Sequence, residues 1–182
     1  MSTVEAPPAQ LNQFALVTYV PNPLGTFLDD LRLELVPGCS PHAHVTVLPP
    51  RPIQSCAQEA AKELREVSHP FADFEVELGE VEMFPQSKVV YIAIKRGELQ
   101  LHRMYRALNQ GAVSFCEPFH YHPHITLVQN VEPELVSPMF EMAKKRWSQY
   151  QESRAFWVHK LDFVKNLQGT CWKDLASIHL GG

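Results

Sequence analysis

Apolar and polar positions along the chain fall into short runs of two different periods. Residues 13–20 (QFALVTYV) form a compact apolar, β-rich run closed by Pro21, which predicts a strand. Residues 44–48 (HVTVL) predict a second, stopped by Pro49 and Pro50. Residues 74–78 (FEVEL) alternate apolar and acidic side chains, as a strand wet on one face does. Residues 89–94, 124–128, 156–164 and 172–180 complete the predicted strands. Helical signals lie between them. Residues 26–35 read as a helix with Thr26 as N-cap and Asp29 three positions on, ended by Pro37-Gly38. Residues 56–67 open on a capping-box pair, Ser55 and Gln58. Residues 98–109 precede Gly111, and Pro133 suits the first turn of a helix reaching Trp147. That last helix places Val136, Phe140, Ala143 and Trp147 on one face.

The order of strands and helices is not strictly βαβ, so the expected class is α+β with largely antiparallel sheets. No low-complexity stretch or long linker divides the chain. We expect a loose polar tail over residues 1–10 and a single bilobal domain over 11–182. With 182 residues and 45% hydrophobic side chains, a core forms without metal or disulfide staples. The four cysteines, at 39, 56, 116 and 171, show no paired spacing and read as reduced thiols in a cytoplasmic protein. Residues 1–10 lack the basic start and apolar run of a signal peptide, and no stretch approaches the roughly 18 apolar residues of a membrane span. The formal net charge of −4 argues against gripping long nucleic acid through bulk charge, while a short nucleotide or an RNA end fits.

The informative feature is internal. Residues 42–48 read HAHVTVL and residues 122–128 read HPHITLV, just under half the chain apart. A lone His-x-Thr says little, but two copies in matching apolar settings suggest two related lobes, each contributing one motif. Side chains two apart on a strand share a face, so His44 projects with Thr46 and His124 with Thr126, while Val45 and Val47 turn to the core. Two imidazoles and two hydroxyls across a cleft meet the needs of metal-free phosphoester cleavage. A neutral histidine takes a proton from the attacking oxygen, and a protonated one gives a proton to the leaving oxygen. The hydroxyls donate to non-bridging phosphate oxygens.

With these motifs the sequence resembles the 2H phosphoesterases, and within them the 2′-5′ RNA ligase-like (RNA 2′,3′-cyclic phosphodiesterase) group, defined by two H-x-[ST] motifs at about this spacing. The resemblance extends to Glu82-Met-Phe-Pro85, the run Val89–Ile92, the helix before Gly111, and Pro123-His-Ile-Thr-Leu127. It implies His44 and His124 as the acid–base pair and Thr46 and Thr126 as phosphate binders. It also implies two antiparallel sheets with outer helices, related by a pseudo-twofold, with the active-site groove between them. The reaction implied is opening of a 2′,3′-cyclic phosphate, on an RNA end or small nucleotide, to a 2′-phosphate, with reversible 2′-5′ RNA joining at the same site. Neither a cofactor nor a metal is implied, and we expect a monomer. Many relatives carry arginine in an H-x-T-L-x-R motif where this chain has Gln129, leaving Arg51, Lys88 or Arg96 to supply a phosphate-neutralising cation. The loop from Glu117 to Pro123 is longer than usual for the group. Tyr121, Phe84 and Arg51 are candidate substrate-binding residues.

Two other functions compete. His42 with His44, and His120 and His122 with His124, have the spacing of transition-metal ligands, which suits a metal-dependent hydrolase. The paired threonines remain unexplained by a metal site. A cleft that binds a nucleotide or RNA terminus without turnover is the other. Trp157 and Trp172 suit packing better than base stacking, and Lys144-Lys-Arg146 reads as a solvated helix end.

Overall fold

The computed structural model describes residues 13–39, 42–168 and 171–181, so the tail expected at 1–10 lies outside the described residues. The chain runs β1 (Phe14–Tyr19), α1 (Leu24–Leu35), β2 (His44–Arg51), α2 (Ala57–Ser68), β3 (Phe74–Met83) and β4 (Val90–Arg96). It continues through α3 (Glu98–Leu108), β5 (His124–Val128), α4 (Pro133–Ser148), β6 (Ala155–Val158), β7 (Lys160–Gln168) and β8 (Cys171–His179). The strands form two four-stranded sheets, ordered β2-β1-β7-β8 and β5-β4-β3-β6, and every pairing is antiparallel. The fold is α+β and bilobal.

The two sheets repeat one plan. β1-α1-β2-α2 and β4-α3-β5-α4 have the same order, and in each the first strand lies inside its sheet while the second takes the edge. These edge strands carry the two histidine motifs and lie against each other. The helices cross between lobes: α1 packs on β5 and α4, and α3 packs on β2 and α2. Alternation along the edge strands decides which side chains enter the core. Val45, Val47, Ile125 and Leu127 are buried, and the intervening His44, Thr46, His124 and Thr126 are half-buried. Apolar side chains from both sheets and all four helices join one continuous core. Gly97, between β4 and α3, has φ of 93°, and a Cβ there would stand 2.7 Å from the Glu75 carbonyl oxygen, so glycine fits that turn.

Several local expectations are corrected. β2 does not stop at Pro49 but runs through both prolines to Arg51, which pairs with Phe14. As an edge strand β2 has one side without a ladder partner, and there proline's missing N–H does no harm. Helix α1 starts two residues earlier than predicted, because the Asn22 side chain accepts from both the N–H and the hydroxyl of Thr26. The capping box at Ser55 does not form: its hydroxyl donates to the Cys56 carbonyl, and the N-cap makes no side-chain bond. The single strand expected over 156–164 is two strands in different sheets. β6 pairs with β3 and β7 with β1, so the chain changes lobes at His159. Trp157 and Trp172 are exposed, not packed, and the buried tryptophan is Trp147, whose indole donates to the Gly79 carbonyl. Arg146 is not simply solvated: it forms two bonds to Glu34, tying α4 to α1. All four cysteines are free, and no helix among the described residues is long and apolar enough to cross a membrane.

Candidate active site

Each motif histidine is held by its own backbone in the same way. His44 Nδ1 lies 2.7 Å from the His42 carbonyl oxygen, and His124 Nδ1 lies 2.7 Å from that of His122. A carbonyl oxygen only accepts, so both rings carry their proton on Nδ1 and, when neutral, present the Nε2 lone pair at the opposite corner. Pairing across the sheets sets His44 beside Tyr19 and Thr46 beside Val17, and likewise His124 beside Ala93 and Thr126 beside Tyr91. The structure therefore brings His44, Thr46, His124 and Thr126 together on adjoining sheet edges, each hydroxyl in phase with its imidazole.

Both imidazoles resist protonation. Burial pushes His44 down to about 4 from an ordinary value near 6.5, against the backbone bond to His42, which favours the charged ring. The charge of Arg32 lowers it further, as does protonation of His42 or His124. Burial also lowers His124, assisted by His122 and opposed by the His122 carbonyl. Hence charge on the His124 ring disfavours charge on the His44 ring, while the arginine in the set acts on His44.

Aromatic side chains wall each motif. Tyr19 stacks on His42 at 3.6 Å between ring centres, meets His44 edge-on at 6.3 Å, and donates its hydroxyl to Asp174 at 2.6 Å. Around the second motif, Phe84 stacks on Tyr91 at 4.1 Å and both meet His124 edge-on at 5.2 Å. Tyr91 donates to Glu82 at 2.9 Å, and burial raises its hydroxyl to about 12. Phe84, a candidate substrate-binding residue in the sequence, thus lies against the second motif. Tyr19 and Tyr91 escaped that reading because their relation to the motifs is a cross-strand register, which no local spacing displays.

The loop leading into β5 straps the two motifs together. The Tyr121 hydroxyl donates to the Thr46 carbonyl oxygen at 2.9 Å, and its ring stacks on Tyr105 at 4.3 Å. Tyr105 in turn donates to Glu117 at 2.5 Å. Glu117 pairs with Arg51, whose guanidinium also donates to Asn109, the Val113 carbonyl and the Pro49 carbonyl. Arg51 is 1% exposed, so its guanidinium is enclosed within the protein and does not face a ligand as the sequence reading had it. Its charge is instead matched by a carboxylate that is itself buried. Arg96 is also engaged, with Glu75 and Glu77. Lys88 is exposed, in the turn between β3 and β4. Among the described residues, no three of His, Cys, Asp and Glu gather as a metal ligand set.

Comparison with protein families matches residues 20–170 to the model of the 2′-5′ RNA ligase superfamily. The chain belongs to that superfamily. It is thereby a 2H phosphoesterase, a class of proteins acting on phosphodiester bonds. Among solved structures it is similar to apo LigT of E. coli, with TM-score 0.64 and 16% identity over 96% of this chain and all of that one. It is also similar to TT0787 of Thermus thermophilus, with TM-score 0.67 and 16% identity over 93% of this chain and 98% of the other. Usb1 of Kluyveromyces marxianus superposes more distantly, with TM-score 0.53 and 13% identity over 92% and 99%. At these identities the likeness is one of fold. A search of curated proteins gives no match.

Proposed function

We propose that the protein opens 2′,3′-cyclic phosphates, on RNA ends or small nucleotides, to 2′-phosphates by metal-independent acid–base catalysis. The observation that carries this reading is the matched pair of imidazoles. Both are fixed as the same tautomer by the carbonyl two residues before them, on edge strands that lie against each other. His44 is the base, since burial and a cationic neighbour hold it neutral, and its Nε2 takes the proton from the attacking water. The water oxygen bonds to phosphorus, the bond from phosphorus to the 3′-oxygen breaks, and His124 delivers a proton to that oxygen. An anionic phosphate between the rings favours the imidazolium that His124 needs for this step. Thr46 and Thr126 donate to the non-bridging oxygens as charge builds on them. With the 5′-hydroxyl of a second RNA end in place of the water, the same transfers would join the ends through a 2′-5′ bond and release the 3′-hydroxyl.

Family membership supports phosphodiester chemistry, and the related LigT has been crystallised with phosphate, with 3′-AMP and with ATP. The test is hydrolysis of a panel of nucleoside 2′,3′-cyclic phosphates in EDTA, with a His44→Ala, His124→Ala double variant as control. Turnover to a 2′-phosphate by the native protein, absent in the variant, is the expected result. Ligand binding without turnover on mononucleotides and on RNA ends would instead mark a binding module.

A further inference from the structure

The superfamily resemblance leaves a charge unaccounted for. Gln129 stands where many relatives have an arginine; of the cations that sequence offered in its place, Arg51 and Arg96 are engaged by carboxylates and Lys88 lies exposed in the turn between β3 and β4. We propose that Arg32, on α1, is the phosphate-binding cation of this site, holding the non-bridging oxygens of the phosphate beside His44. The proposal rests on the phosphoester reading of the cleft and adds to it a residue from outside both motifs.

Four arginines are at least half-buried: Arg32, Arg51, Arg146 and Arg154. Three of them donate to protein oxygens: Arg51 to Glu117 and Asn109, Arg146 to Glu34, and Arg154 to the Trp147 carbonyl. Arg32 is the exception. Its Nε is buried with no hydrogen-bond partner, and its guanidinium makes no ion pair among the described residues. A buried N–H without an acceptor is costly, while the half-buried side chain leaves the rest of the guanidinium fork open to a ligand that supplies acceptors.

The fold places this residue's helix face beside the first motif. One helical turn before it, Asp29 accepts the Ala43 N–H at 2.7 Å, which fixes this face of α1 to the residue preceding His44. Asp29 holds the Ala43 amide without closing an ion pair with Arg32. The Arg32 charge reaches the His44 imidazole. It sits on the same helix that packs against β5, the strand of the second motif. A planar, always-charged fork at this point suits two oxygens of a tetrahedral phosphate.

Inorganic phosphate tests the proposal without turnover, its binding followed through the ring resonances of His44 and His124. Arg32→Gln should weaken phosphate at least tenfold and Arg32→Lys less, while the His44 ring becomes easier to protonate in the ligand-free Gln variant. Because the native charge is unpaired, Arg32→Gln should unfold no earlier on heating than the native protein. Phosphate affinity of Arg32→Gln within twofold of native would overturn the proposal. So would a folded native protein whose ring resonances ignore phosphate, or a Gln variant that fails to fold, which would make Arg32 a structural side chain. If phosphate binds and is lost with Arg32, yet no cyclic phosphate is opened, the catalytic reading falls while the assignment of Arg32 stands.

Discussion

The two motifs share a skeleton and differ in their surroundings. In both, an edge strand presents His and Thr in phase, and a carbonyl two residues back holds Nδ1 at 2.7 Å. In both, a tyrosine of the adjacent strand donates to a carboxylate, Tyr19 to Asp174 in one lobe and Tyr91 to Glu82 in the other. Burial and the histidine two positions back disfavour charge on both rings, but around His44 a cation on α1 adds to them. Duplication supplies two equivalent imidazoles, but general acid–base chemistry needs two inequivalent ones. The residues that differ between the lobes are what separate the roles.

The strongest way to break this asymmetry is to remove each ring in turn. His44→Ala and His124→Ala should each lower turnover of a cyclic phosphate by roughly 10²–10⁴-fold, the range for general acid–base groups. A substrate whose leaving group is a good one, such as an aryl phosphodiester of a nucleotide, separates them. It needs no proton on departure, so His124→Ala should retain far more activity on it than His44→Ala. Equal losses on both substrates would sink the assignment of base and acid. Next in size is the strap between lobes. Glu117→Gln leaves the Arg51 guanidinium buried without its carboxylate, and should cost about 3 kcal/mol of stability in a urea titration. An unchanged midpoint would show that the pair is not needed to hold the lobes.

The asymmetry also has a signature in stability. The folded value of His44 is depressed to about 4, below the ordinary value near 6.5 of an unfolded chain. Between those values the unfolded chain binds more protons, so stability rises with pH there. The contribution is present above pH 6.5 and is lost as pH falls through about 4, to a total of roughly 3 kcal/mol at most. His44→Asn should flatten this acid limb in thermal melts compared between about pH 4.5 and 7.5. A limb of undiminished steepness would place the responsible group elsewhere.

How far the sequence disclosed this site depends on the kind of relation involved. His44 with Thr46, and His124 with Thr126, were legible because a period of two along a strand is local, and because the motif occurs twice. The α+β class and most element positions were legible for the same reason, since each rests on hydrophobic periodicity within one segment. What was not legible is everything set by partners distant in sequence. Nothing in residues 156–164 announces a change of sheet, because both halves read as strand and only the pairing of β6 with β3 and β7 with β1 divides them. The prolines of β2 were read as a stop because edge placement was unknown. Arg51 looked like a free cation near the first motif, and its carboxylate partner lies 66 positions away. Arg32 carried no signal at all beyond being a charge on an otherwise amphipathic helix.

The smallest predicted effect probes the strap at its contact with the first motif. Tyr121 lies three residues before His124 and donates across to the carbonyl of Thr46, so one hydrogen bond links the lead-in of one motif to the backbone of the other. Tyr121→Phe removes that hydroxyl and keeps the ring on Tyr105, leaving the Thr46 carbonyl without this donor. A neutral hydrogen bond of this kind contributes about 1 kcal/mol, so stability should fall by a similar amount. If the bond only stabilises, kcat and KM will be unchanged at a temperature where the variant is fully folded. If it sets the spacing of the two imidazoles, kcat should fall several-fold with KM nearly constant, because misplacement of acid against base is felt in the transition state and not in ground-state binding. Tyr105→Phe supplies the control. It removes the donor to Glu117 while preserving the ring stack and the bond to Thr46, and should lower stability without the fall in kcat. A loss of kcat in Tyr121→Phe alone would locate the alignment of the two lobes in a single contact between β2 and the loop that enters β5.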